Sequence, residues 1–269
     1  MDEPPQDSSD SSIGVSTVDR PVYNRDCRWD RFNPEWYFHH NYDSVRQDDR
    51  QLLLWLREEF VHRLRLRGSF RNGIDIGPGA NLYPAMALAP FCRTITLQDC
   101  AQPNVEWLRR EIQKRFRSSW YEFWEVLATE ADYRLVGDPW AYLKGRLEFV
   151  RGSIFDLPKQ AYDIGTMFFV AESITSDHRE FETAVHTFLD CLQVGAPFAA
   201  AFMKGSRGYQ VDTESYPAVA IDTDRVKSCL AGVAYDCEIR VIELHETDEP
   251  LRDGYDGMIL ATGRRNKRR

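Results

Sequence analysis

Two short runs of residues carry types and spacings that point to chemistry. The first is Asp75-Ile76-Gly77-Pro78-Gly79, and the second is Asp99, 22 residues after Gly77. Glycine lets a backbone turn sharply and lets a ligand approach where a Cβ would otherwise stand. An acid at the end of the next strand can accept hydrogen bonds from both hydroxyls of a ribose. In an open parallel sheet both features fall beyond the carboxyl ends of the strands, where ligands bind. The implied ligand is therefore a nucleoside. A dinucleotide fingerprint needs a third glycine at position 82, and Leu82 stands there, preceded by Asn81. An acid at Asp75 repels phosphate and suits a cation, so the spacing favours S-adenosylmethionine. NAD and a ligand of neither kind stay open as alternatives.

These residues need a framework, and the hydrophobic rhythm supplies one. Leu52, Trp55, Leu56, Phe60 and Leu64 recur at helical spacing, predicting a helix from Asp48 to Arg67 that stops at Gly68. Short strands are expected at Gly73–Gly77, Thr94–Gln98, Leu147–Val150, Asp163–Phe169, Ala196–Met203, Glu238–Leu244 and Gly257–Thr262. Helices fit Asn81–Pro90, Asn104–Phe116, Arg179–Leu192 and Thr223–Leu230. This alternation predicts an α/β fold with a mainly parallel sheet covered on both faces. The connection near Pro250–Gly254 is too short for a helical crossover, so the last two strands should pair antiparallel. Residues 118–145 break the alternation with Trp120, Tyr121, Phe123, Trp124, Tyr133, Trp140 and Tyr142, and read as an inserted helical excursion whose aromatics fill a subcore.

Composition narrows the class. A chain of 269 residues buries enough surface to fold without disulfide or metal staples. Its six cysteines include no C-x-x-C pair and no zinc-like spacing to histidine, which predicts reduced thiols and no metal. No apolar run reaches membrane-spanning length. The N-terminal residues are acids and serines where a signal peptide needs a basic start and an apolar core, which predicts a cytoplasmic protein. A net charge of −8 disfavours nonspecific nucleic-acid binding. Residues 1–20 read as disordered, 21–263 as the folded domain with a lid and helix at 21–67, and 264–269 as a basic tail.

A family resemblance follows from particular positions. Phe32-Asn33-Pro34-Glu35-Trp36-Tyr37 followed by Tyr42 resembles the N-terminal motif Phe-x-Pro-x-x-Tyr, with a second tyrosine five residues on, of the nicotinamide, phenylethanolamine and thioether methyltransferases. Ile74-Asp75-Ile76-Gly77-Pro78-Gly79 with Leu82-Tyr83, and Asp99 with Asn104, match in the same order, and the likeness covers about Asp30–Gly263. The resemblance implies a class I, Rossmann-like methyltransferase with a seven-stranded sheet and an antiparallel C-terminal hairpin. It implies S-adenosylmethionine as cofactor and a small-molecule substrate, with nitrogen acceptors favoured. By the same resemblance Tyr37 and Tyr42 close over the cofactor, and Gly77 and Gly79 wall its methionine part. Tyr83 meets the amino-acid end, Asp99 and Asn104 the ribose, and Ser153 and Ile154 the adenine. Ser153 stands where the family has an aspartate.

The acceptor is less defined. A carbon or hydroxyl nucleophile needs a base, and Glu172, just past the fourth strand, is the candidate, with His178 behind it. The amine-methylating members place an acid at the end of strand five, where this chain has Ala201, Phe202 and Met203. The expected lid, Lys204–Ile221, offers Lys204, Arg207 and Tyr209 for substrate binding, and the N-terminal segment adds Arg25, Arg28, Arg31, His39 and His40. Convergence of these cations would favour an anionic acceptor, such as a prenyl diphosphate methylated on carbon with Glu172 as base.

Overall fold

The structure is a computed structural model that describes residues 20–66, 69–244 and 251–267. The expected disordered segment, apart from Arg20, lies outside the described residues, as do Gly68, Pro250 and the last two tail residues.

The described chain runs through α1 (Pro34–Asn41), α2 (Gln47–Glu58), β1 (Phe70–Ile76), α3 (Tyr83–Leu88), β2 (Cys92–Asp99) and α4 (Gln102–Gln113). Three short helices follow, α5 (Ser118–Leu127), α6 (Ala131–Arg134) and α7 (Pro139–Lys144), and then β3 (Leu147–Arg151) and β4 (Ile164–Phe168). The remainder is α8 (His178–Cys191), β5 (Pro197–Met203), β6 (Gly208–Val211), β7 (Glu214–Pro217), α9 (Thr223–Leu230), β8 (Ala234–Glu243) and β9 (Gly257–Arg265).

Seven strands form one sheet in the order β3-β2-β1-β4-β5-β9-β8. Strands β1 to β5 are parallel, while β9 runs antiparallel to both β5 and β8. The predicted class I methyltransferase sheet with its antiparallel hairpin is therefore present. Strands β4 and β5 are buried along their whole length, as central strands of a sheet covered on both faces are. One core layer joins α2, α3 and α5 to one face, and the other joins α8 and α9 to the opposite face. Strand order reverses between β1 and β4, so a crevice opens there at the carboxyl ends.

Two elements differ from the sequence expectation, and the insertion meets it. The predicted helix to Arg67 gives way after Glu58 to a π-helical turn, Glu59–Arg63. The wider turn puts buried Glu59 beneath β9, where Thr262 Oγ1 donates to Glu59 Oε2 at 2.7 Å. Residues 118–145 form helices as expected, and Trp120, Phe123 and Tyr133 are fully buried beside α3 and Phe91. The lid segment holds an unforeseen hairpin, β6–β7, whose two-residue turn carries Asp212 at φ +55°. That hairpin packs on the N-terminal strap: Tyr216 stacks on Trp29 at 5.0 Å, and Arg31 pairs with Glu214 at 3.0 Å. Among the described residues no helix is long and apolar enough to cross a membrane.

Candidate active site

The crevice at the switch point is a cavity with about 760 Å³ of atom-free space, its mouth included. Its floor is the turn after β1. Gly77 and Gly79 both take left-handed backbone conformations, at φ +60° and +58°, and both line the cavity. Their reasons for being glycine differ. A Cβ on Gly77 would stand 2.6 Å from Val170 Cγ2, so packing against the β4 end excludes it. A Cβ on Gly79 would meet nothing nearer than Asn104 Nδ2 at 3.9 Å, so there the missing side chain leaves room for a ligand.

Asp99 ends β2 beside this turn. Gly79 N–H donates to its Oδ2 at 2.9 Å, and Ala101 N–H and Asn104 Nδ2 donate to its Oδ1 at 2.8 and 3.2 Å. Burial raises the carboxyl above its ordinary range, and the three donors pull it back. A carboxylate offers about four acceptor sites, so one remains for a ligand hydroxyl. Asn104 Oδ1 is buried and has no partner among the described residues, leaving a second acceptor at the same place. Gln98, Gly152 and Ile154 continue the wall beyond Asp99.

The opposite wall comes from the N-terminus, and local chemistry explains how. Asn33 caps α1 by accepting from Trp36 N–H at 3.1 Å, and Pro34 occupies the first turn, where its missing N–H is not needed. This start sets Phe32 and Tyr37 on the cavity, with Tyr42 below, 6.0 Å from Tyr37 between ring centroids. Burial pushes both phenols up, so they stay neutral near pH 7 and act as hydrogen-bonding groups, not bases. Ahead of α1 the chain is stitched to the β4 side: Val22 N–H donates to Ser176 Oγ at 2.8 Å and Asn24 N–H to Glu180 Oε2 at 2.9 Å.

Several predicted residues lie elsewhere. Tyr83 is buried under the wall, stacked on Phe123, with its hydroxyl on Asp49 Oδ1 at 3.0 Å. Ser153 uses its hydroxyl to accept from Phe155 N–H at 3.2 Å, capping a short 3-10 turn. Lys204 is neutralised by Glu243 and Asp256, the latter at 2.8 Å. Arg207 packs along the turn at Gly254 instead of on the cavity. His39 bridges Glu35 and Asp43 on the outer face of α1. Arg25 lies over Tyr23, His40 stacks on Trp36, and His178 opens α8, so the expected cationic cluster does not assemble. Tyr209 does line the cavity, and its hydroxyl donates to the Ser173 carbonyl at 3.1 Å.

Glu172 also falls outside the lining. Its Oε1 accepts from Met203 N–H at 2.9 Å and from Ser173 Oγ at 3.2 Å, tying the β4 end to the β5 end. Burial raises its carboxyl above the ordinary range.

Asp75 is fully buried in β1 and does not line the cavity. Thr166 Oγ1 donates to its Oδ1 at 2.7 Å, and burial pushes its pKa from 3.8 to about 8. The folded protein therefore holds a proton there that the unfolded chain releases, and stability should fall as pH rises from about 4 to about 8. Asp75→Asn should flatten this decline in melting temperature measured between pH 5 and 8.5. An equally steep decline in the variant would clear Asp75 of it. Asp49, pushed up to about 7, acts with the same sign and accounts for part of the slope that remains.

Sequence reasoning passed over Asn24, Trp29 and Phe169, all of which line the cavity. Phe169 is the clearest of them. It is a non-glycine at φ +60° directly after β4, and such strain costs about 1–3 kcal/mol and gathers at functional sites. Its position at the carboxyl end of a central strand was the available signal.

A sequence profile of the NNMT/PNMT/TEMT family matches residues 21–266. Among curated proteins no sequence matches significantly. Solved structures with a similar fold include an S-adenosylmethionine-dependent methyltransferase from Clostridium acetobutylicum ATCC 824. It is 13% identical with a TM-score of 0.53, and the match covers 87% of this chain and 100% of that one. The N-methyltransferase NodS from Bradyrhizobium japonicum WM9, solved with S-adenosyl-L-homocysteine, is 13% identical with a TM-score of 0.50 and the same coverages. A DhpI–SAM–HEP complex is 12% identical with a TM-score of 0.50, covering 86% and 96%. At these identities the structural likeness concerns the fold.

Proposed function

The chain belongs to the NNMT/PNMT/TEMT family and is an S-adenosylmethionine-dependent methyltransferase, and from this premise we propose that it methylates a nitrogen of a small, flat acceptor. The cofactor fits the residues present. Asp99 and the free Oδ1 of Asn104 would hold the ribose hydroxyls, and the open side of Gly79 admits the methionine part. Gly152 and Ile154 would border the adenine, with Tyr37 and Tyr42 closing the near side. When bound, S-adenosylmethionine supplies a methyl group on a positively charged sulfur.

What the chain contributes is position and an enclosure rich in aromatic side chains. Trp29, Phe32, Tyr37, Phe168, Phe169 and Tyr209 line one continuous cavity. Their faces favour a flat acceptor and stabilise a cation. Holding the two reactants about 3 Å apart and shedding water can supply most of the acceleration of such a displacement.

The observation that carries the nitrogen reading is the placement of Glu172. Among the described residues Asp99 is the one carboxylate in the lining, and its acceptor sites are largely taken by Gly79, Ala101 and Asn104. Carbon and hydroxyl nucleophiles need a base, whereas a neutral amine or heteroaromatic nitrogen needs only its lone pair. The pairing of Lys204, Arg31 and His39 with acids also counts against a diphosphate. Labelled S-adenosylmethionine incubated with amines, N-heteroaromatics, phenols and geranyl diphosphate tests this by product mass. Label should appear on nitrogen compounds, and label confined to phenols or the diphosphate would overturn the reading.

Glu172→Gln sharpens it. Glutamine keeps an oxygen for Met203 N–H, so turnover should stay within about threefold, because nothing in the chemistry removes a proton there. A loss of about a hundredfold in kcat with unchanged cofactor affinity, the size expected for a missing base, would restore Glu172 as the base.

A further inference from the structure

Opposite the glycine turn, planar groups stack. Trp29 lies on Tyr216 at 5.0 Å and 16°, and Tyr216 on Tyr209 at 5.5 Å and 25°. The guanidinium of Arg252 lies over the Tyr209 ring at 4.8 Å. Arg252 sits in the turn leading into β9, which is closed by Tyr255 N–H donating to the Arg252 carbonyl at 3.1 Å. Its Nη1 donates to Ser173 Oγ at 3.0 Å. Ser173 in turn donates to Glu172 Oε1, which also accepts from Met203 N–H. This chain anchors the guanidinium to the ends of β4 and β5, against two residues that line the cavity, Ser173 and Tyr209. Arg252 is not itself in the lining but stands directly behind Ser173 and Tyr209, in the wall that faces the same cavity as Tyr37 and Tyr42.

Three other basic side chains around this end are paired, while Arg28 and Arg207 are exposed to solvent. Arg31 meets Glu214, Lys204 meets Glu243 and Asp256, and Arg151 meets Asp30. Among the described residues no carboxylate comes within ion-pairing distance of Arg252, and its one side-chain hydrogen bond is to Ser173. Glu172 lies beyond that distance and reaches Arg252 only through the Ser173 hydroxyl. A guanidinium carries five N–H donors in a planar fork matched to a carboxylate.

We propose that Arg252 is a specificity residue that binds the carboxylate of the acceptor, making the substrate an aromatic amine or N-heteroaromatic acid laid beside Tyr209. This rests on the nitrogen-acceptor reading and adds the substrate's charge to it. One guanidinium fork matches one carboxylate, whereas a diphosphate would need several converging cations. Bidentate charge-assisted bonds then set the distance between the carboxylate and the reacting nitrogen.

The test uses benzoate and its uncharged isostere benzamide, titrated into protein saturated with S-adenosylhomocysteine and followed by ligand-observed NMR. Wild type should bind benzoate at least about tenfold more tightly than benzamide, in line with a hydrogen bond to a charged group. Arg252→Gln should erase that preference while leaving S-adenosylhomocysteine affinity and melting temperature unchanged, and Arg252→Lys should keep part of it. Equal binding of the two probes by wild type, binding of neither, or a preference that survives in Arg252→Gln would overturn the proposal. A fall in S-adenosylhomocysteine affinity in Arg252→Gln would overturn it too, by assigning the guanidinium to the cofactor. Benzoate has no nitrogen, so this result is independent of which atom is methylated, and that reading stands or falls on the methyl-transfer screen.

Discussion

Asp99→Ala should weaken S-adenosylmethionine binding by ten- to a hundredfold, read as Kd by isothermal titration. The wild-type carboxylate is 5% exposed and already collects Gly79 N–H, Ala101 N–H and the Asn104 amide. Removing it deletes the acceptor for a ribose hydroxyl, a hydrogen bond to a charged group that contributes about 1.5–3 kcal/mol. It also leaves three donors without their acceptor, and it frees Asn104, whose Oδ1 is the second acceptor proposed for the ribose. The turn at Gly79 loses its tie to β2 at the same time, so preorganisation falls with direct contact. Melting temperature separates the two contributions, because a purely structural loss lowers it without the matching change in Kd once folded protein is titrated. A Kd within about twofold of wild type would remove Asp99 from the cofactor site.

Gly77→Ala should cost about 2–5 kcal/mol of folding stability, the sum of a left-handed residue and an overpacked contact. The position has φ +60°, and the added methyl would stand 2.6 Å from Val170 Cγ2 and 2.9 Å from Cγ1. Neither can retreat easily, since Val170 is buried at the end of β4 and Gly77 N–H is held by the Gln98 carbonyl at 2.8 Å. Thermal melting should show a midpoint at least about 5 °C lower. Gly77→Ala combined with Val170→Ala should recover part of the loss, because the double change removes the collision and keeps only the backbone strain. An unchanged midpoint in the single variant would mean that the turn is not held as described. Gly79→Ala makes a useful contrast. Its methyl meets only open cavity, so cofactor affinity should suffer more than stability beyond the shared left-handed penalty.

These two residues were legible in the sequence because both obey local rules. A glycine-containing turn after an apolar strand, and an acid at the end of the next, are fixed by backbone geometry a few residues either side. The same holds for Asn33-Pro34, a cap and a first-turn proline that fix where α1 begins and so where Tyr37 lies. The aromatic insertion was legible as helical and as subcore for a similar reason, since its spacing buries Trp120 and Phe123 on one side.

Other readings failed where the deciding partner lies far along the chain. Lys204 looked like an anion ligand until the sheet brought Glu243 and Asp256 beside it. Glu172 looked like a base until β5 placed Met203 N–H against it, 31 residues away. Tyr83 matches the family pattern and Ser153 stands in place of its aspartate, but one is drawn inward by Asp49 and the other is used as a cap. Arg252 could not be singled out at all, because its meaning depends on Ser173, 79 residues away, and on the Tyr209 ring of an unforeseen hairpin.

By itself, then, the sequence determined the alternating elements, the glycine turn, the acid that ends β2 beside it and the N-terminal segment that walls the cavity. All of these follow from periodicity and local backbone preference. Only the tertiary structure decided which charges are neutralised, which carboxylate faces the cavity and which guanidinium stands against the cavity wall. Those outcomes depend on which groups folding brings within hydrogen-bonding distance, and a linear spacing does not encode that distance.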